Sequence, residues 1–191
     1  MLVIFLLSLA FLLLLSSIFF SALFISSAWS VMVKNEAPFV PLGKEALEAV
    51  VEHLGLGERS VFFDLGCGDG RILLAVAKKY PGAEFIGVER SLLPFLLAKT
   101  RTFFWGRGRN IKVVRKNIFE IDPSSATHIF CYLFPEQTKK LLPRLQQNLR
   151  PGTKVIVCDF CFSEKDPDQV IDLSALAAPW SLKHKLYIYN F

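Results

Sequence analysis

A glycine-rich segment flanked by acids is the part of the sequence with the clearest chemical meaning. Residues 64–70 read DLGCGDG, with an apolar run before them and an amphipathic pattern of helical spacing after them. Glycines in a turn between a strand and a helix let the backbone approach a ligand closely, because they carry no side chain and tolerate positive φ. The segment therefore predicts a turn that binds a small-molecule cofactor.

The spacing of this turn does not match two common nucleotide-binding motifs. When Gly66 and Gly68 are aligned with the dinucleotide fingerprint, the third glycine of that motif falls on Arg71. A phosphate-binding P-loop would need Gly-Lys-Ser/Thr, which does not follow. The two aspartates of the turn would repel a pyrophosphate, but they suit a ligand with an ammonium and a sulfonium. Glu89, at the end of the next predicted strand, can accept hydrogen bonds from both hydroxyls of a ribose.

These residues together resemble the first two motifs of the class I S-adenosylmethionine-dependent methyltransferases. The resemblance implies that Asp64 and Asp69 hold the amino-acid end of S-adenosylmethionine, directly or through water, and that Glu89 holds its ribose. Family members usually have an acid after the third strand for the adenine amino group, where this chain has Asn117. The implied cofactor-binding residues are Asp64, Gly66, Cys67, Gly68, Asp69, Gly70, Glu89, Asn117 and Ile118.

A narrower resemblance covers most of the chain beyond its N-terminal segment. APFVPLGKE, DLGCGDGRI, GVE and residues 126–160 are similar to the membrane-anchored lysine methyltransferases related to the ATP synthase c-subunit and adenine nucleotide translocase enzymes. The resemblance implies methyl transfer to a lysine amine of a membrane or membrane-proximal protein. Two alternatives stay open: a lipid or quinone-like small molecule as the acceptor, and a cofactor-binding module without catalytic activity. The oligomeric state is left open.

The segment that follows the fourth predicted strand is the expected site of the methyl acceptor. Tyr132, Phe134 and Pro135 lie there and are the candidate catalytic residues. Tyr132 could contact an amine or its cation, and Phe134 could pack against the methyl donor, although both could equally be ordinary core aromatics. Enzymes that methylate nucleobase amines often carry Asp/Asn-Pro-Pro-Tyr/Phe here, and LFPE departs from that pattern. A nucleic-acid substrate is therefore not expected.

Strand-like and helix-like segments alternate from residue 60 onward. The predicted strands are SVFFDL, EFIGVE, NIKVVRKN, THIFCYLF and TKVIVCDF, and the last helix is expected to kink at Pro143. Residues 161–179 are predicted to be irregular, and SLKHKLYIYNF is predicted to form a closing edge strand. The alternation predicts an α/β fold with a doubly wound, mostly parallel sheet, as in the Rossmann-like class I methyltransferases. A ligand would lie beyond the carboxyl ends of its strands.

The N-terminal segment is long and entirely apolar. Leu2–Val33 contains no ionisable side chain, and this length is sufficient for a transmembrane helix. A cleaved signal peptide fits less well, because no basic residue precedes the segment and because its apolar run is too long. We predict an anchor over 1–33, a linker over 34–43 and the methyltransferase domain over 44–191. The basic residues after the anchor and the net charge of +5 predict a single-pass protein whose domain is cytoplasmic.

Two further groups of residues allow more than one interpretation. Arg101–Lys116 interleaves basic and aromatic residues, which fits a solvated basic face with buried aromatics, a contact with anionic lipid, or a contact with RNA. The four cysteines are expected to be free thiols in a reducing compartment. Cys158 and Cys161 have C-x-x-C spacing, but we expect buried structural thiols there rather than a redox or metal site.

Overall fold

The computed structural model describes residues 1–34, 42–175 and 184–191. Most of the predicted linker, residues 35–41, lies outside this description. The chain forms two compact units, Met1–Val40 and Pro41–Phe191. In the first unit, helix α1 runs over Leu2–Lys34. Its Val3–Ser21 portion is long and apolar enough to cross a membrane, judged by length and composition.

The second unit alternates helices and strands along the chain. In order, its elements are α2 (Lys44–Leu54), β1 (Val61–Leu65), α3 (Arg71–Lys79), β2 (Glu84–Glu89), α4 (Leu92–Trp105), β3 (Asn110–Arg115), a 3₁₀ turn (Ile118–Glu120), β4 (His128–Cys131), α5 (Pro135–Asn148), β5 (Lys154–Cys158), β6 (Gln169–Asp172) and β7 (Lys185–Asn190). The predicted strand–helix alternation is confirmed, although β4 ends at Cys131 rather than continuing to Phe134.

The strands of this unit form one sheet in which a single strand is reversed. The order is β3-β2-β1-β4-β5-β7-β6. The first five strands run parallel, whereas β7 is antiparallel to both β5 and β6. Chain connections leave β1 in one direction through β2 and β3 and return to its other side at β4, which creates the switch point where such sheets bind ligands. The mostly parallel, doubly wound sheet is confirmed.

The sheet is covered by helices on both faces, because its central strands are apolar on both faces. Phe62 and Phe85 pack into one cluster with residues of α2, α3 and α4. Phe63, one residue further along β1, packs into the opposite cluster with residues of α5. Successive side chains of a strand point to opposite faces, so neighbouring phenylalanines stabilise both layers of helices.

The C-terminal part of the sheet corrects two predictions. Gln169–Asp172 forms strand β6 within the segment predicted to be irregular, and β6, not β7, is the edge strand at this side of the sheet. Val170 in β6 is 50% exposed, and three of the four side chains face solvent, so the segment lacks the apolar alternation that sequence reasoning uses. Strand β7 buries Leu186, Ile188 and Tyr189 because it is paired on both sides.

Two predictions about side-chain burial are also wrong in part. Cys158 is buried, but Cys161 is exposed, because β5 ends at Cys158 and the chain turns at Asp159, whose φ is 65°. The aromatics at the end of α4 are exposed, so the interpretation of a basic face with buried aromatics does not hold. Helix α5 continues through Pro143, which lies on its exposed side.

Candidate active site

Register places the ends of four parallel strands at one edge of the sheet. Leu65 of β1 pairs with Val88 of β2 on one side and with Cys131 of β4 on the other. Cys131 in turn pairs with Val157 of β5. The glycine turn after β1 and the segments after β2, β4 and β5 therefore leave the sheet at nearly the same level. Residues that are far apart in sequence are brought together at this edge.

The glycine turn adopts a backbone that L side chains rarely take. Gly66, Gly68 and Gly70 have φ values of 83°, 54° and 75°. A Cβ atom on Gly66 would lie 2.9 Å from a methyl carbon of Leu133, and one on Gly70 would lie 3.1 Å from the Cβ of Ala98 in α4. The turn thus passes closely between the segment after β4 and the helix α4, which requires glycine at these positions.

Glu89 holds the turn in place through backbone amides. Its Oε2 accepts from the N–H of Gly68 at 3.0 Å, and its Oε1 accepts from the N–H of Ser91 at 2.7 Å. Each carboxylate oxygen can accept a second hydrogen bond, so the predicted contact with ribose hydroxyls remains available. The sequence did not indicate this ordering of the turn and of the start of α4 by Glu89.

Asp64 is a buried carboxyl group, one oxygen of which has no hydrogen-bond partner among the described residues. It is only 1% exposed, and its Oδ2 makes no hydrogen bond with the described residues. Burial raises the pKa of Asp64 well above its ordinary value, and the charges of Glu89 and Asp69 raise it further. A buried carboxylate is costly unless it is paired with a cation. A ligand ammonium at this position would remove that cost.

Asp69 points toward two arginines. Its Oδ1 accepts from Nε of Arg71 at 3.0 Å, and its Oδ2 lies 2.8 Å from Nη1 of Arg101 in α4. Burial by itself raises the pKa of Asp69, but the hydrogen bonds and charge of Arg71 and the charge of Arg101 lower it overall. Asp69 therefore joins the turn to α3 and α4 through these two arginines. This role could not be predicted from the sequence.

The remaining predicted cofactor residues lie beside these groups. Oδ1 of Asn117 accepts from the N–H of Phe119 at 3.2 Å, which caps the 3₁₀ turn. The side-chain NH₂ group of Asn117 is left available for a ligand. Ile118 is 8% exposed. Burial raises the pKa of the Cys67 thiol, and the charges of Asp64 and Glu89 add to this effect, so Cys67 stays protonated.

The predicted acceptor residues follow β4; Phe134 is exposed, whereas Tyr132 packs against the core cluster of α2, α3 and α4. Tyr132 is half-buried, and its ring lies 5.8 Å from that of His184 in a perpendicular arrangement. Phe134 is 37% exposed, and its ring lies 6.0 Å from that of Phe160. Pro135 is exposed at the start of α5. These residues line the same edge as the glycine turn, since Leu133 between them contacts it.

A cluster centred on Asp159 is the part of the site that sequence reasoning missed. Its Oδ2 lies 2.8 Å from Nδ1 of His184, and its Oδ1 accepts from the N–H of Lys185 at 3.0 Å. Burial raises the pKa of Tyr132, and the charge of Asp159 and a hydrogen bond to it raise that pKa further. Pairing of β5 with β7 joins residues 25 positions apart. Nothing in the local sequence marks Asp159 as a site residue. Its positive φ is unusual for an aspartate, but it can be seen only in the structure.

The buried Cys158 adjoins this cluster. Its Sγ lies 3.9 Å from Nδ1 of His184, and the ligand atoms of Cys158, Asp159 and His184 all lie within 4.8 Å of one another. Cysteine, histidine and carboxylate side chains are also zinc ligands. In this structure they hydrogen-bond one another, and burial together with the charge of Asp159 raises the pKa of the Cys158 thiol.

The arrangement matches a known class of enzyme. The glycine turn lets the backbone approach a cofactor closely, and the buried carboxyl group of Asp64 suits a cationic group on that cofactor. A crystal structure of an RNA methyltransferase from Salinibacter ruber with S-adenosyl-L-homocysteine has a TM-score of 0.71 and 30% sequence identity, and the match covers 79% of this chain and 93% of that chain. The fold and the site therefore define an S-adenosylmethionine-dependent methyltransferase.

Within this class, the family is established by a match over more than half of the chain. The model of the ANTKMT methyltransferase domain matches residues 64–169, and the chain belongs to this family. A protein-lysine N-methyltransferase of Saccharolobus islandicus is 29% identical over 152 residues, which is 80% of this chain and 92% of the relative. The human lysine N-methyltransferase of the ATP synthase c-subunit is 32% identical over 135 residues, 70% of this chain and 56% of the relative.

Proposed function

We propose that this protein transfers a methyl group from S-adenosylmethionine to the ε-amine of a lysine in a membrane or membrane-proximal protein. The relatives named as lysine methyltransferases support a lysine acceptor. The structural observation that carries the proposal is the carboxylate of Asp159, with Tyr132 and His184 around it, at the edge that holds the glycine turn. A carboxylate beside an aromatic ring suits a cationic amine.

The cofactor would be held by the predicted residues around the glycine turn. Asp64 pairs with the ammonium of the cofactor, and Glu89 accepts from its ribose through the lone pairs that its backbone bonds leave free. Asn117 and Ile118 contact the adenine. Gly66, Cys67, Gly68 and Gly70 bring the backbone close to the ligand, while Asp69 positions the turn through Arg71 and Arg101 rather than by direct contact.

Methyl transfer requires a neutral, aligned amine. S-adenosylmethionine supplies a methyl group that its sulfonium already activates, so the protein has to orient the nucleophile and exclude water. Asp159 attracts and orients the incoming ammonium, which loses one proton to water before methyl transfer. Tyr132 remains a phenol because burial and the neighbouring charge raise its pKa, and its oxygen accepts an N–H of the amine. Phe134 and Pro135 form the exposed rim of the acceptor site.

Membrane anchoring is the second part of the proposal. The Val3–Ser21 portion of α1 supports it by length and apolar composition. Lys34 and Lys44, the basic residues that first follow the apolar segment, support a cytoplasmic position of the domain. An anchored enzyme would meet acceptors at or near the bilayer surface at a high effective concentration.

Labelling of isolated membranes tests the acceptor. Membranes with the wild-type chain are incubated with methyl-labelled S-adenosylmethionine and divided into protein, RNA and lipid fractions, and labelled peptides are mapped by mass spectrometry. We expect label in protein, on lysine, and its loss with Asp64→Asn but not with the exposed control Asp166→Asn. Label in lipid would favour a lipid or quinone-like acceptor, and label in RNA would favour the activity named for the Salinibacter structure; either result contradicts the proposal.

A pair of tyrosine variants tests the acceptor site separately from cofactor binding. Tyr132→Phe removes the hydroxyl beside Asp159, and we expect it to lower kcat about 10-fold or more while the KM for S-adenosylmethionine stays unchanged. Tyr187→Phe, on β7, is the matched control and leaves both constants unchanged. Equal kinetics of the two variants would remove Tyr132 from the proposed mechanism.

A further inference from the structure

Helix α4 exposes a large, mostly apolar face. Seven large apolar side chains of this helix are between 45% and 68% exposed: Leu92, Leu93, Leu96, Leu97, Phe103, Phe104 and Trp105. We call this set the α4 apolar face. Contiguous exposed apolar surface of this kind marks an interaction site on a soluble domain.

Helical spacing aligns most of these side chains in one stripe. Leu92, Leu96 and Phe103 share one row of the helix, and Leu93, Leu97 and Phe104 share the adjacent row, because residues separated by four and by eleven positions lie on the same side. Thr100 lies between the two rows. Lys99 flanks one side of the stripe and Arg101 the other. The stripe is therefore an apolar band with the exposed Lys99 along one border and, along the other, Arg101, which is ion-paired with Asp69.

The opposite side of α4 is already in use. Ala98 is fully buried and would contact a Cβ atom on Gly70, and the Thr102 hydroxyl donates to the carbonyl of Ala98 at 2.8 Å. Arg101 forms its ion pair with Asp69 of the glycine turn. The α4 apolar face is thus not a poorly packed core face, since the helix already packs its other side against the cofactor turn.

The chain segment that contains the α4 apolar face carries charge of one sign. Residues 90–117 contain eight Lys and Arg and no Asp or Glu: Arg90, Lys99, Arg101, Arg107, Arg109, Lys112, Arg115 and Lys116. Two copies of this chain meeting through the face would bring these cations against each other, which disfavours a self-association surface. RNA would pair with the cations, but it would leave four exposed leucines without a matching partner. An anionic lipid surface matches both the charge and the aliphatic side chains.

We propose that α4 lies in the plane of a bilayer that contains anionic lipid, with the α4 apolar face inserted below the headgroups. Leu, Phe and Trp on one side of a helix and Lys and Arg along its borders are the composition of helices that bind in this way. Trp105, at the C-terminal end, is of the residue type that prefers the interface. The other side of α4 packs on the glycine turn, so this docking brings the cofactor turn within about one helix diameter, roughly 10 Å, of the headgroups.

This inference rests on α4 itself, and it requires neither a lysine acceptor nor a membrane-spanning α1. Spin-label accessibility of the full chain tests it. Cys161→Ser removes the exposed native thiol, and a nitroxide is attached at Leu96→Cys on the α4 apolar face or, as the control, at Lys139→Cys on exposed α5. Proteins are reconstituted in vesicles of phosphatidylcholine alone or mixed with phosphatidylglycerol.

We expect the label at position 96 to collide several-fold more with oxygen and several-fold less with a water-soluble nickel complex in the mixed vesicles than the label at position 139. The double change Lys99→Glu and Arg107→Glu should abolish the difference between the two lipid compositions, whereas Lys140→Glu and Arg144→Glu on α5 should preserve it. Equal nickel accessibility at both positions in mixed vesicles would overturn the proposal.

Other occupants of the face give different signals, and each would overturn the proposal. Low accessibility to both oxygen and nickel means that protein covers the face, because oxygen is abundant in a bilayer interior. Dipolar broadening between labels at position 96 means that a second copy covers it. Shielding that appears only after RNA is added means that RNA is the partner.

Discussion

At the residue scale, the buried carboxylate of Asp64 favours binding of a cationic ligand but lowers the stability of the ligand-free protein. Asp64 is buried, and its Oδ2 is not hydrogen-bonded by the described residues. Its folded-state pKa is raised, so Asp64 lowers the stability of the ligand-free protein at neutral pH; this cost declines as the pH falls below the raised pKa and is gone below 3.8, the ordinary value for aspartate. The same charge is what a ligand ammonium needs. Such a conflict between stability and binding is common at functional sites.

Asp64→Asn should therefore separate the two effects. We expect the affinity for S-adenosylhomocysteine to fall about 10- to 100-fold, because a charged hydrogen bond in a buried site contributes roughly 1.5–3 kcal/mol. The ligand-free variant should also melt at a higher temperature than the wild type. Isothermal titration calorimetry and thermal unfolding measure these changes, with the exposed Asp166→Asn as the control. Unchanged affinity would mean that Asp64 does not face the cofactor.

Two glycines with nearly identical φ values allow steric contact to be separated from backbone strain. Gly70 and Gly108 have φ values of 75° and 76°, but a Cβ atom on Gly70 would meet Ala98 whereas one on Gly108 would meet nothing within 4 Å. Gly108→Ala should cost about 1 kcal/mol of unfolding free energy from strain. Gly70→Ala should cost about 2–4 kcal/mol, because the backbone of α4 must also shift. Urea unfolding measures both, and equal costs would show that α4 does not press on the turn.

At the element scale, α4 connects the cofactor turn to the surface of the molecule. Its inner side contacts Gly70 and reaches Asp69 through Arg101, and its outer side is the α4 apolar face. Nothing in the sequence indicates that Asp69 forms an ion pair with Arg101, which lies 32 positions further along the chain. The pairing depends on α4 crossing the turn, which the fold alone determines.

Arg101→Gln should loosen this connection. We expect a loss of about 1 kcal/mol in unfolding free energy at pH 7, a modest value because the arginine side chain is 35% exposed. The pKa of Asp69 is lowered in the folded state, so its contribution is present above 3.8, the ordinary value for aspartate, and is lost as the pH falls below it. The difference between wild type and variant should therefore shrink in acid.

The exposed Arg107→Gln serves as the control for this comparison and should change stability by less than about 0.5 kcal/mol at either pH. Urea unfolding at pH 7 and at pH 3 provides both measurements. A loss in Arg101→Gln that is independent of pH would mean that its ion pair with Asp69 does not stabilise the protein.

At the scale of the whole molecule, the apolar α1 and the catalytic unit form separate compact units. If α1 spans a bilayer, two charges near its middle should prevent insertion, because an arginine at a helix centre costs about 2.5–3.5 kcal/mol on insertion scales. Leu12→Arg with Leu13→Arg should shift the protein out of the carbonate-resistant membrane fraction, while Leu12→Ile with Leu13→Ile should not. Retention of the arginine variant would contradict a spanning α1.

The side of the membrane on which the domain lies can be read from one thiol. Cys161 is exposed, whereas Cys67, Cys131 and Cys158 are buried, so a membrane-impermeant maleimide should modify Cys161 alone. In intact cells that express the chain, we expect no modification until the membrane is permeabilised, because the domain is predicted to be cytoplasmic. Modification of intact cells, absent in Cys161→Ser, would place the domain outside.

The features that could be predicted from the sequence are those whose cause is local. Short apolar runs predicted the strands around the site, and apolar residues at helical spacing predicted the helices, because each pattern repeats within a few residues. The glycine turn and the acids at positions 64 and 89 predicted the cofactor, because a turn backbone and its ligand chemistry depend on adjacent residues. Strand β6 was missed, since an exposed edge strand carries no apolar alternation.

The sequence by itself determined the class of fold, the cofactor and the apolar N-terminal helix. Only the tertiary structure decided what Asp69 binds, where Cys161 lies, which strand forms the edge, and that α4 turns seven large apolar side chains outward. It also assembled Tyr132, Asp159 and His184 beside the turn. These features depend on contacts between distant segments, and the register of the sheet and the packing of helices on it, rather than any local pattern, set those contacts.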